Sequence, residues 1–183
     1  TTSVDAQQAQ IVGVSFAVKA GEAAYVPLTH SYMGVPTQLD RDTVLKALKP
    51  LLEDPHKAKV GQHAKYDINV LANCALDGDP SNGIDVQGVA FDSMLESYVL
   101  DSTATRHNMD ALALKYLDYR TIAFEDIAGK GAKQLTFDQI ALELAGPYAA
   151  EDADITLRLH QALWPQLQAI PSLARVLSEI EMP

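Results

Sequence analysis

The order of hydrophobic patterns along this chain predicts an α/β or α+β domain. Three observations carry that expectation. Two β-rich runs near the N-terminus flank a turn, two later runs of strand character each lead into a helical pattern, and the second half is almost all helix. With 183 residues and 48% hydrophobic content the chain can bury one sizeable core, so a single domain is expected.

The elements follow in order. Residues 11–18 (IVGVSFAV) and 23–28 (AAYVPL) read as a hairpin around Lys19-Ala20-Gly21-Glu22. Val44, Leu45, Leu48 and Leu52 give residues 40–53 helical spacing, with Asp40 as N-cap. A short strand near Ala58–Val60 leads into GQHAKYD, and INVLANCAL then reads as helix with Asp67 near its start. DGDPSNG (77–83) is a loop by its turn-forming content. VQGVAF (86–91) reads as strand, followed by a helix through Met94, Leu95, Tyr98 and Val99. Asn108 caps a helix through Leu117, and AGKGAK (128–133) is a loop. Thr136-Phe137-Asp138-Gln139 reads as a capping box for a helix ending near Gly146, and Pro147 suits the first turn of the next, which runs toward Trp164-Pro165.

Charge and cysteine content exclude several classes. Twenty-four acidic against fourteen basic residues give a net charge of −10, which repels phosphate backbones at long range. Lys46, Lys49, Lys57, Lys59 and Lys65 are nevertheless gathered with only Glu53 and Asp54 opposing them, and bound divalent metals bring positive charge of their own. The single cysteine, Cys74, excludes an intramolecular disulfide and a cysteine-based zinc cluster, and is read as a small buried hydrophobe. No apolar run approaches a membrane span and TTSVDAQQAQ has no signal-peptide pattern, so a soluble intracellular protein is expected.

Two tyrosine–aspartate pairs stand out, Tyr66-Asp67 and Tyr148…Asp152. On a helix Tyr148, Asp152, Ile155, Thr156 and Leu159 share one side, placing Asp152 in a mainly apolar face. A buried ionised carboxylate costs several kcal/mol unless a cation, hydrogen bonds or a metal offsets it. Bland readings stand beside the functional ones. Asp67 caps a helix, Asp152 pairs with Lys or Arg, and Tyr66 and Tyr148 are core aromatics. His63 lies four residues before Asp67, but the preceding Gly61-Gln62 favours a loop there over a metal-binding pair. Gly129-Lys130-Gly131 lacks the full phosphate-loop spacing.

The succession KVGQHAKYD, GVAFDSMLESYVLDSTATRHNMDALA, TIAFEDIAGKGAKQLTFDQIA and YAAEDADITLRLH resembles the 3′–5′ exonuclease domain of the bacterial family A DNA polymerase I family. The resemblance covers nearly the whole chain, and about 172–183, with EIEMP, looks like the start of the connection to the polymerase domain. It implies an RNase H-like (DnaQ-type) fold, a mixed sheet with flanking helices. The implied activity is proofreading hydrolysis of the 3′-terminal phosphodiester of DNA by two divalent metals, Mg²⁺ or Mn²⁺ with Zn²⁺ an alternative at one site. The implied partners are a single-stranded DNA 3′ end and the polymerase domain of the same parent, in the bacterial cytoplasm.

Residue by residue, the resemblance makes Asp67 and Asp152 metal-holding carboxylates and Tyr148 the group that hydrogen-bonds the attacking water. Phe124 stacks against the terminal base region, Val4 stands where a leucine wedge is usual, and Tyr66 and His63 meet the DNA strand. His63 replaces a customary asparagine, and DGDPSNG looks like an insertion, expected to be exposed and away from the catalytic pocket. The family's first motif, an Asp-x-Glu pair on the central strand, aligns just before Thr1, and Asp5 comes too late to replace it. The resemblance therefore implies a chain that lacks its first strand, binds metal weakly or not at all and is inactive alone. A non-catalytic scaffold supporting a polymerase domain is the alternative. An RNA-trimming exonuclease of the same superfamily is disfavoured by AGKGAKQLTF and EIEMP.

Overall fold

The computed structural model describes residues 1–103 and 106–182. Strands β1 (Gly13–Lys19) and β2 (Glu22–Pro27) pair antiparallel, Val14 opposite Val26 and Phe16 opposite Ala24. The connection is only Ala20-Gly21, and Gly21 takes the positive φ of 80° that so tight a turn requires. Tyr25 lies across Gly13 so closely that any β-carbon at residue 13 would collide with the phenol ring.

Helix α1 (Arg41–Leu52) starts where expected, the Asp40 carboxylate accepting the Thr43 amide at 2.8 Å. Strand β3 (Lys59–Gly61) then leads into α2 (Ala64–Ala72), and β4 (Val89–Asp92) into α3 (Ser93–Leu100). β3 and β4 are parallel, with Gly61 beside Asp92, so both helices start from the same end of this pair. Asn108 caps α4 (Met109–Leu117), accepting from Ala111 at 3.2 Å. A short α5 (Phe124–Ala128) precedes α6 (Leu142–Gln168), and α7 (Pro171–Val176) closes the fold with a final π-type turn, Leu177–Glu181.

Two expectations need correction. Thr136 and Gln139 do form a capping box, but it opens a single 3₁₀ turn, Phe137–Gln139, and α6 begins later and runs unbroken past Gly146 and Pro147. Pro147 forfeits one intrahelical hydrogen bond and crowds the preceding turn, at a cost of about 3 kcal/mol. Ile155, Leu159, Leu163 and Leu167, each 0% exposed, offset it, since burying one such side chain is worth about 1.5–3 kcal/mol. Packing therefore decides the helix where propensity argued for a break.

The second correction concerns the sheet. In place of one mixed sheet, the described residues form two two-stranded sheets, β1–β2 and β3–β4, not hydrogen-bonded to each other. α6 packs on β1, β2 and β3 as well as on α3 and α4, and so serves as the common backing of both. Ile11, Leu28, Leu45, Val70 and Ile84 fill the core around α1 and α2. Leu112, Ile155, Leu159 and Leu163 join α4 to α6. The architecture is mixed α/β with little sheet and much helix. Among the described residues, no helix is long and apolar enough to cross a membrane.

Candidate active site

A crevice of about 770 Å³ opens between the two sheets. β1 forms one wall through Gly13, Val14, Ser15 and Phe16, and β3 the other through Lys59, Val60 and Gly61. Asp67, Tyr148 and Asp152 all line it, together with Tyr66, Phe124 and Val4. His63 does not line it; exposed beside the crevice, its ring stacks on Tyr66 with centroids 6.5 Å apart.

Asp67 stands in the first turn of α2 and does not cap it: His63 occupies the cap position, in the left-handed conformation with φ 58° and ψ 44°. Asp152 stands midway along α6, one turn after Tyr148. Among the described residues neither carboxylate has a salt-bridge partner, so the expected Lys or Arg beside Asp152 is missing. Burial pushes Asp152 up to about 7, with the negative charges of Glu151 and Asp110 adding to the shift. Asp67 is pushed up to about 6, again first by burial; the Thr1 ammonium and then His63 oppose the shift, and the Asp92 charge adds to it. Asp67 is exposed by area yet crowded by the crevice walls, so its desolvation is partial.

Burial and the Asp152 charge also push the Tyr148 phenol above its usual range, so it keeps its proton at any physiological pH. Its ring sits 5.9 Å from Phe124 and 6.0 Å from Phe137, one link in an aromatic row along the crevice. Val4 is 97% exposed, an apolar side chain at the rim with no packing of its own. The Tyr66 hydroxyl meets Thr1 Oγ1 at 2.6 Å and donates to the Ser3 carbonyl, tying the first residues to α2.

Three of the five lysines in the run are engaged. Lys46 pairs with Asp77, Lys49 with Glu53, and Lys59 donates to the carbonyls of Asp54, Lys57 and Gln87. The turn-rich segment is exposed from Asp77 to Ser81, and none of residues 77–83 lines the crevice. Cys74 is a buried free thiol.

Three supporting residues escaped the sequence reading. Glu151 accepts from the Tyr119 hydroxyl at 2.8 Å and the Ile122 amide at 2.7 Å, fixing the approach to Phe124. Asp154 accepts the Gly21 amide at 2.6 Å and so ties α6 to the hairpin turn. Asp92, at the end of β4, accepts backbone amides from two helices. An acidic residue at a strand-to-helix junction signals a cap, but nothing in the sequence shows the second helix it serves.

The crevice thus gathers two carboxylates, a protonated phenol and an aromatic row, groups that could offer oxygen donors to a hard cation and a surface to a flat ring. Comparison with known proteins gives the class its family. The family model described as 3′–5′ exonuclease, of the DNA polymerase A type, matches residues 1–168. The chain is 80% identical over its full length to DNA polymerase I of Pseudomonas aeruginosa and 38% identical to that of Rhizobium leguminosarum, covering 19% of each relative. It is 34% identical to the DNA polymerase of Escherichia phage T5, over 86% of the chain and 20% of the relative. A solved structure, the POL domain of Pol1 from M. smegmatis in complex with DNA primer-template and dNTP, shares its fold. That likeness has TM-score 0.62 and 22% identity, over 95% of this chain and 26% of the other. The chain belongs to the 3′–5′ exonuclease family of bacterial DNA polymerase I. It spans about a fifth of the length of the curated relatives it matches.

Proposed function

We propose that this chain, residues 1–183, is the proofreading domain of a longer polymerase, removing the 3′-terminal nucleotide from single-stranded DNA ends. About residues 172–183 would lead into the polymerase domain of the same protein, working in the bacterial cytoplasm. The observation that carries this reading is the pair of crowded carboxylates, Asp67 and Asp152, which line one crevice and among the described residues have no salt-bridge partner.

The donor chemistry fits a hard divalent cation, Mg²⁺ or Mn²⁺, better than Zn²⁺, because both groups offer oxygen only. Among the described residues no cluster of three or more His, Cys, Asp or Glu exists to hold a metal, so the two aspartates are a partial ligand set. When bound, two such cations would activate water and stabilise charge on the leaving oxygen. The chain's own residues do the rest. Asp67 and Asp152 would hold the cations. Tyr148, kept protonated, orients the attacking water through its hydroxyl. Phe124 stacks on the terminal base region, exposed Val4 wedges between bases, and His63 and Tyr66 meet the strand.

The crevice also supports an RNase H-like sheet. β1 and β3 each pair on one side only and face each other across an opening backed by α6. A strand bearing the family's Asp-x-Glu pair would fit between them and bring the remaining carboxylates to Asp67 and Asp152.

The test is digestion of a 5′-labelled single-stranded oligonucleotide by the full-length protein with Mg²⁺. Stepwise shortening from the 3′ end is expected, and Asp152→Ala or Asp67→Ala should slow it by at least about a hundredfold. Unchanged digestion by both variants would remove this site from the reaction.

A further inference from the structure

Asp92 has no assigned role, yet its carboxylate organises the ground on which Asp67 stands. It is 3% exposed at the last position of β4, in register with Gly61 of β3. Oδ1 accepts the Met94 amide at 2.9 Å and the Leu95 amide at 3.4 Å, an ordinary cap for α3. The same oxygen accepts the His63 amide at 3.1 Å, and Oδ2 accepts the Ala64 amide at 2.7 Å. α2 needs this help, since the residue at its own cap position, His63, supplies no side-chain cap. His63 is also held in the left-handed region, where a residue other than glycine is strained. Its amide and the next converge on Asp92, as successive amides around a left-handed residue do on an anion.

We infer that Asp92 is a positioning residue for the exonuclease reaction: by capping α2 from a neighbouring strand it fixes the first turn of α2, and with it Asp67, against the β3–β4 pair. The inference rests on the functional reading above. Its physical content is precision. Asp67 reaches the crevice from the first turn, the part of a helix that frays most readily, and a carboxylate displaced by about 1 Å can cost on the order of a hundredfold in rate.

Asp92→Ser separates the two duties. A serine hydroxyl at this position caps the helix that follows it but is too short to reach the amides of His63 and Ala64. In the full-length protein it should lower kcat for single-stranded DNA hydrolysis by about tenfold to a hundredfold. KM for DNA should stay within about threefold, and the Mn²⁺ concentration for half-maximal rate should rise. Hydrogen exchange at Ala64–Asp67 should quicken, while that in α3 stays slow. Asp40→Ala, which uncaps α1 at the end opposite Leu52, the residue by which that helix lines the crevice, is the comparison: it should lower Tm and leave kcat unchanged. If the serine variant does not fold, Asp92→Asn, which turns one acceptor into a donor facing Ala64, is judged by the same criteria. A kcat within about twofold of wild type, with Asp67→Ala still abolishing hydrolysis, overturns the role of Asp92 and leaves the functional reading standing. Absence of any Asp67-dependent hydrolysis in the unaltered protein overturns the functional reading, and the role of Asp92 with it.

Discussion

Asp152 carries its charge at a cost that the fold alone does not repay. Its folded value of about 7 lies above the ordinary 3.8, so the native state prefers the protonated form. For a group raised in this way, the stabilising contribution is complete below about pH 4 and is lost as pH rises through about 7. In the absence of metal the domain should therefore lose stability between those values, by on the order of 1–2 kcal/mol once crevice water is allowed for. Asp152→Asn should melt higher than wild type at pH 8 without metal, with the gap shrinking toward pH 5 and again on adding Mg²⁺. Thermal melts at the two pH values check this, and an Asn variant that melts lower at pH 8 would contradict it. His63 offers a second residue-scale prediction. Asparagine tolerates φ 58° better than histidine does, so His63→Asn should raise stability by a fraction of the roughly 1 kcal/mol that the left-handed conformation costs. Denaturant midpoints measure it.

Between elements, the strongest polar tie is the one from α3 to α6. Glu96, 0% exposed, is hydrogen-bonded to His160 Nδ1 at 2.7 Å, while among the described residues its second oxygen has no partner. The His160 ring lies against Phe91, centroids 4.3 Å apart, and stacks on Trp164. Burial pushes the Glu96 carboxyl above its usual range, with His160 opposing the shift. Removing the partner leaves the carboxyl alone in the core, so His160→Leu should cost about 3–5 kcal/mol, whereas Glu96→Leu with His160→Leu should cost much less. Equal losses in the single and double variants would show that the ring's packing, not the pairing, dominates. Caps and turns of this kind were legible in the sequence: Asp40, Asn108 and the Ala20-Gly21 turn act locally, and short-range geometry fixes them. The continuity of α6 through Pro147 was not legible, because it depends on what Ile155 and Leu159 bury against. Neither was the second helix served by Asp92, since its partner amides lie 28 and 29 positions away.

Taken whole, the described residues form two small sheets on one long helix, with a crevice open between them. The aspartates and tyrosines of the crevice stood out in the sequence through residue type and helical spacing. The gap between the sheets follows from strand pairing, which spacing along one strand does not reveal. Strands paired on one side only expose backbone donors and acceptors, which favour association with any extended chain. In the 183-residue chain, the β1 and β3 amides not bonded to β2 or β4 should exchange with solvent quickly. Extending the chain upstream to include the family's Asp-x-Glu strand should protect those amides, raise Tm and tighten Mn²⁺ binding together. On the proposed reading one inserted strand would complete both ladders and the ligand set, so these three changes should appear in the same variant. Hydrogen exchange read by mass spectrometry, with Mn²⁺ titration of the same samples, measures all three. Amides of β1 and β3 that stay unprotected in the extended chain, despite metal-dependent hydrolysis, would show that the strand lies elsewhere and that the crevice is a substrate groove throughout.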